Sequence, residues 1–300
     1  MLRERRQFLY PIPTRHPLPS RWPTGKPERK PLGRNVAALV AIVFLVSMSA
    51  AVLLAPMLAP AQPMQVDTLA QFTSPNRMHP LGTDFLGRDV LSRLLYGGRL
   101  TLGVGLLAAA VAAVPGLTLG LIAGYFDGWL DDLIARSMDV LLAIPYLLLA
   151  LTVVTLMGQR LESVALGIGL AGIPGTVRVV RAAAVSLRRR PFVLAARSVG
   201  CTEMRILLRH ILPNVTGTVL VIATLQVGWA ILNASALTFL GVGAPPGVPE
   251  WGAMLHEGRL YLREAPWVAI ASGTMLTLTV LAVNLVGDGL RDAIDPRLRV

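Results

Sequence analysis

Apolar positions in this chain do not recur with the period of a half-buried helix or strand; they run on without interruption. Residues 36–58, 100–126, 140–158 and 265–287 contain no charged side chain. A helix that crosses a bilayer needs about 20 mainly apolar residues, because in hydrocarbon each backbone N–H and C=O must be satisfied within its own segment. All four stretches reach that length. Residues 211–249 are also free of charge but exceed one crossing, so they predict a span over about 215–237 followed by an interfacial segment. The weakest span covers 163–180, with Arg178 near its end, where a long side chain can reach the headgroups. The pattern predicts an all-α, polytopic membrane protein with six transmembrane helices.

Composition agrees. Hydrophobic residues make up 54% of the 300 and charged residues 15%, against about a quarter charged in a soluble domain, and the mean hydropathy is +0.61. The formal charge of +11 is clustered: nine basic residues lie within 3–34 and eight within 178–209. Clusters beside membrane spans are topology signals rather than a nucleic-acid footprint. Six crossings put both termini on one side, and the two clusters assign that side to the cytoplasm. Two loops argue the other way, with Arg77, Arg88, Arg93 and Arg99 in the first outer loop and Asp127, Asp131, Asp132 and Asp139 in the first inner one. The tail and the long basic loop outweigh them, since acidic residues count little and the first span usually dominates. A cleaved signal peptide ending near residues 59–61 is the poorer reading, because the charged region before it is too long and the apolar run exceeds the usual length of about 7–15 residues.

The expected organisation is a basic, proline-rich, disordered cytoplasmic tail over 1–35, a first transmembrane helix over 36–58, and an outer loop over 59–99. A five-helix core follows over 100–290, including a cytoplasmic loop at 182–212, and then a cytoplasmic C-terminal tail at 291–300. Asp84, Arg88, Asp89 and Arg93 supply mixed-sign neighbours four residues apart, which predicts an amphipathic helix in the outer loop. Trp251 and Trp267 are expected at the outer interface. Gly116, Gly120 and Gly124 allow a neighbouring helix to approach closely. Gly167, Gly169, Gly172, Pro174 and Gly175 make the fourth span pliable, for tight packing first and a bend second.

Several chemistries are poorly served. The only lysines, Lys26 and Lys30, lie in the tail, so no phosphate-cradling glycine-rich loop with its lysine exists. His16, His79, His210 and His256 fall in the tail or loops, and Cys201 has no partner at a metal-ligand spacing. No catalytic, cofactor or metal residues are therefore assigned. The span interiors offer only neutral polar groups such as Gln226, Asn233 and Asn284, which disfavours proton or sodium coupling; an ion-coupled secondary transporter or a channel without an ATPase partner is the alternative reading.

The loop at 182–212 has internal order. Pro191 can open a helix, Ala195 and Ala196 present a small surface, and Gly200 can end it. This stretch resembles the cytoplasmic signature of bacterial ABC importer permeases, which reads Glu-Ala-Ala, three residues, Gly, and then a stretch ending in Leu-Pro. Ala195, Ala196, Gly200, Leu212 and Pro213 match it, and Leu194 stands where the glutamate is usual. Residues 79–99, 249–255, 287–292 and 295–297 are similar to the dipeptide, oligopeptide and nickel group of these permeases, its C-type subunit in particular. The matches run over about 36–299.

The resemblance implies an ABC importer type I permease-like fold that forms half of the translocation path for peptides or related small solutes. It implies a heterodimer with a homologous second permease, two ATP-binding subunits below, and an extracytoplasmic substrate-binding protein above. It places the chain in a bacterial or archaeal cytoplasmic membrane as a multi-pass protein with both termini cytoplasmic. ATPase coupling falls to Ala195, Ala196, Arg197, Gly200, Leu212 and Pro213, with one charge contact removed by Leu194, and the substrate path is left unassigned.

Overall fold

The structure is a computed structural model that describes residues 36–294; the expected N-terminal tail and the 295–297 motif lie outside the described residues. Among the described residues there is helix and no strand. Five helical stretches are long and apolar enough to cross a membrane: α1 (Val36–Leu53), α3 (Val90–Tyr125), α6 (Leu161–Arg188), Glu203–Phe239 and α11 (Pro266–Ile294). The stretch Glu203–Phe239 comprises α8 (Glu203–Ile206), a π-type turn (Leu207–Ile211) and α9 (Leu212–Phe239). Short helices α2 (Ala55–Leu58), α7 (Pro191–Ser198) and α10 (Trp251–Gly258) occupy the bundle ends, α7 at one end and α2 and α10 at the other.

The third span departs from expectation. Instead of one helix over 140–158, α4 (Trp129–Ala143) and α5 (Tyr146–Met157) meet at 88°. Pro145 causes the break: it supplies no N–H, and it drives Ile144 before it into an extended conformation, with φ −89° and ψ 126°. At 12 residues, α5 is about 18 Å long, shorter than the roughly 30 Å hydrocarbon layer.

Helices α3 and α6 form the central seam, and glycine explains how close they come. A Cβ on Gly120 would lie 2.7 Å from the Val180 Cβ, and one on Gly124 2.7 Å from the Ala184 Cβ. Seen from α6, a Cβ on Gly169 would lie 2.8 Å from the Ala108 carbonyl oxygen. These glycines serve packing, and α6 remains one helix through Pro174. Its last turns extend past the expected end at residue 180. There Arg181 pairs with Asp131 at 2.5 Å, Arg188 with Asp127 at 2.6 Å, and exposed Arg178 lies 4.0 Å from Asp139. Three of the four acidic residues that seemed to argue against the topology, Asp127, Asp131 and Asp139, thus lie against arginines of α6.

At the α10 end, the expected amphipathic helix is absent. Gly82 and Gly87 adopt left-handed φ values of +74° and +71°, which breaks the helix that the Asp84–Arg93 spacing predicts. Asp84 instead accepts from the backbone N–H groups of Leu86 and Arg88 at 2.9 and 3.0 Å. Asp89 caps the start of α3, accepting from Ser92 N at 2.7 Å. The four charges are buried rather than spread over a helix surface. Arg88 donates to Asp84 at 2.7 Å and to Glu257 of α10 at 2.8 Å, while Arg93 donates to Glu257 at 2.7 Å and also to Asp84. Arg99 donates to the carbonyls of Val52 and Leu53, capping the C-terminus of α1. Three of the four arginines counted against the topology are thereby tied to acids or to a helix end.

Trp251 and Trp267 are not an interfacial belt. Trp251 is 0% exposed and donates to Leu94 O at 2.8 Å; Trp267 donates to Thr83 O at 2.9 Å. Beside Trp251, the Glu250 carboxylate is 2% exposed. It accepts from Thr101, Thr238 and the Ala253 N–H at 2.9, 2.6 and 2.9 Å, at the positive end of α10. Side-chain clamps thus join α10, the 59–89 loop and the start of α3 into one cap.

Candidate functional site

The segment that leaves α6 is built to project a short helix. Pro191 stands at its first position, where a missing N–H costs nothing. At the other end Gly200 takes φ +81°, its N–H donates to Arg197 O at 2.9 Å, and the Cys201 N–H donates to Ala196 O at 3.1 Å. This pair of reversed hydrogen bonds is the Schellman termination, which asks for glycine at the left-handed position. Cys201, half-buried, packs against the same apolar cluster as Ala196, the contact that accompanies such a cap.

Helix α7 has two unlike faces. Val193 and Ala196 are buried in a cluster with Leu121 and Tyr125 of α3, Val180 and Ala184 of α6, and Val215 of α9. Phe192, Leu194, Ala195 and Val199 are exposed, and Met204 and Leu208 continue the exposed apolar edge. The sequence reading of Ala195 and Ala196 as one small surface is therefore corrected: consecutive helical residues point about 100° apart, so Ala195 faces out and Ala196 faces the bundle. A rigid displacement of α7 would push on three long helices through that shared core.

Polar contacts fix the angle of the segment. Glu203 accepts from the Tyr125 hydroxyl and from Arg197 at 3.0 Å, joining the end of α3 to α7 and α8. The Arg197 guanidinium also lies 5.9 Å from the centroid of the Tyr125 ring. Arg188 donates to Tyr125 O at 3.1 Å and holds the exposed Asp127 carboxyl below the usual carboxylate range. Sequence reasoning missed Tyr125 and Glu203. A signal for the second was present, since Glu203 is the only acidic residue between Glu162 and Glu250.

Leu212 and Pro213 sit apart from the small-residue helix, at the start of α9. Leu212 is half-buried against the same cluster, and its N–H donates to Leu207 O five residues back. Pro213 has no N–H to give to the preceding turn, and the helix widens into a π-type turn just before it. The turn joins the projecting segment to α9 without a flexible loop. Among the described residues no group of His, Cys, Asp or Glu side chains is arranged to hold a metal.

Residues 116–300 match the family described as binding-protein-dependent transport system inner membrane component. The chain is 39% identical over 295 residues to the dipeptide transport system permease protein DppC of Alkalihalophilus pseudofirmus, covering 97% of each. It is 45% identical over 225 residues to the glutathione transport system permease protein GsiD of Pectobacterium atrosepticum, covering 75% of each. Among solved structures, an inward-facing MetNI methionine ABC transporter has a chain that superimposes with a TM-score of 0.56 at 19% identity. That match covers 68% of this chain and 96% of the other, a likeness of fold.

Proposed function

This chain belongs to the family of binding-protein-dependent transport system inner membrane components, and from that premise we propose that it conducts short peptides or peptide-like solutes inward across a cytoplasmic membrane. It is a multi-pass permease subunit of an ABC importer, and such a permease works with a partner permease and ATPase subunits. In our reading the partner permease is a homologue that completes the path, and an extracytoplasmic binding protein delivers the solute on the α10 side. The α7 end faces the cytoplasm, where both termini lie. The arginines of α6 and α7 support that orientation, as does the tethering of three of the four arginines at the opposite end. The peptide class rests on the relatives, which are named for dipeptide and glutathione transport.

The observation that carries the coupling role is the two-faced seat of α7. Ala195, Arg197 and the exposed edge from Phe192 to Leu208 offer a docking surface to an ATPase cleft, while Ala196, Gly200, Leu212 and Pro213 fix that surface to the bundle. ATP binding closes the ATPase pair and moves α7, and the core beneath it passes the motion to α3, α6 and α9. The differential contact in the two states supplies the free energy that any such switch requires.

The test is reconstitution. The chain, co-expressed with its partner permease and ATPase subunits, is purified and placed in proteoliposomes with the binding protein. ATP-dependent uptake of labelled dialanine or glutathione supports the reading. Failure of the chain to retain an ATPase subunit through purification refutes the coupling role, and ATP-driven uptake of a non-peptide solute alone refutes the peptide class.

A further inference from the structure

A cavity of about 540 Å³ opens where α4 and α5 break, walled by Ile144, Pro145 and Tyr146 on one side and by Gly172 and Gly175 of α6 with Gln226 and Trp229 of α9 on the other. Its volume falls within the range of small-ligand sites, roughly 300–1,000 Å³. Tyr146 and Trp229 meet there with ring centroids 4.1 Å apart and planes tilted by 59°. The Gln226 amide lies over Gly172, in the space that any larger residue would fill.

Two independent features mark this cavity as more than a packing defect. The Gln226 side chain has no hydrogen-bond partner among the described residues, although it sits near the middle of α9, and an unpaired amide is expensive in hydrocarbon. The break at Ile144–Pro145 frees backbone polar groups at the same wall, and irregular backbone at membrane depth is tolerated where protein buries it or where it lines a cavity. Gln226, Trp229 and Asn233 follow each other at i, i+3 and i+7, which places them on one face of α9. That face runs from the cavity toward the α10 end, with the Asn233 amide N–H satisfied by Trp229 O at 2.8 Å and its carbonyl oxygen left free to accept.

We propose that Gln226, Trp229 and Tyr146 form a contact site for the solute midway through the path, with Asn233 leading into it. The Gln226 amide pairs with a peptide N–H or C=O, and the two aromatic rings cover the solute's apolar face. This rests on the permease reading above. The alternative occupant, a helix of the partner permease, would have to place a polar side chain against the Gln226 amide to satisfy it, whereas a peptide carries an N–H and a C=O at each residue, so the amide chemistry favours the solute.

The experiment uses the complete complex in proteoliposomes with Cys201, the single native cysteine, replaced by serine. In that background the Gln226→Cys thiol is expected to react with a water-soluble thiol reagent, at a rate that changes about tenfold between the nucleotide-free and ATP-trapped states. Dialanine or glutathione at saturation should slow that reaction. Gln226→Leu should lower uptake about tenfold, with basal ATP hydrolysis within about twofold of wild type, because a site built to hydrogen-bond its solute is lost. Gln226→Asn should recover part of the uptake. A thiol that is unreactive in every state, or that cross-links to the partner permease, overturns the proposal in favour of helix packing. Normal uptake by Gln226→Leu overturns it as well. If the wild-type complex takes up neither peptide, the peptide reading fails by itself, and nucleotide-dependent labelling still decides whether this face lines the path.

Discussion

Gly200 gives the sharpest test of how the projecting helix is held. Its φ of +81° lies in the left-handed region, yet nothing stands within 4 Å of where a Cβ would be. A larger side chain therefore meets backbone strain and no clash. An ordinary L-residue in that conformation costs about 1–2 kcal/mol, a β-branched one more, and asparagine less because it tolerates left-handed φ. Comparison of Gly200→Val with Gly200→Asn isolates the backbone, since both side chains enter the same open space. A penalty of that size shifts the population of the correctly ended helix by a factor of about 5–30. The assay is the ratio of solute taken up to ATP hydrolysed, measured on purified complex in proteoliposomes alongside the yield of assembled complex. The expected result is a near wild-type ratio for Gly200→Asn and a drop of about 5–30-fold for Gly200→Val. Equal ratios for the two variants at equal assembly would refute the argument that the Schellman end sets the coupling geometry.

Three further outcomes follow from the geometry. Ala196→Asp places a carboxylate in the cluster shared by α3, α6 and α9, so the amount of folded complex should fall, by a destabilisation of about 3–5 kcal/mol; a fully assembled but uncoupled variant would contradict the burial of Ala196. Asp84→Asn strips a buried charge from Arg88 and Arg93 and should destabilise the α10 cap by about 3–5 kcal/mol, read as a lowered midpoint in thermal unfolding of detergent-solubilised protein. Asp127 is held below its ordinary pKa by Arg188, so its contribution is present above the unfolded-state value and is lost only as pH falls through the lower folded one. The midpoint difference between Asp127→Asn and wild type should then be the same at about pH 6 and pH 8, and a difference that grows between those values would refute the assignment.

The sequence by itself determined most of what the bilayer dictates. Long apolar runs located α1, α3, α6, α9 and α11, because hydrocarbon penalises charge and open backbone whatever the neighbours are. The small-residue segment bounded by Pro191 and Gly200 was equally legible, since a helix start at proline and a left-handed end at glycine are local backbone properties. The matched blocks settled the family in the same way, as residue types at fixed spacings.

Tertiary structure decided where side chains go. Spacing of Asp84, Arg88, Asp89 and Arg93 read as an amphipathic helix, but Glu257, the second carboxylate that Arg88 and Arg93 bind, lies more than 160 residues away in sequence. Periodicity along one segment carries no information about such a partner. Likewise the third apolar run hid a right-angled break at Pro145, because lipid-exposed and cavity-lining apolar residues look alike in a hydropathy pattern. The two alanines of the projecting helix are identical in the sequence, and only the packing of α7 on α3, α6 and α9 separates Ala195, exposed, from Ala196, facing the core. Which charges are free is a pairwise property of the folded chain; which segments lie in lipid is a property of each segment alone.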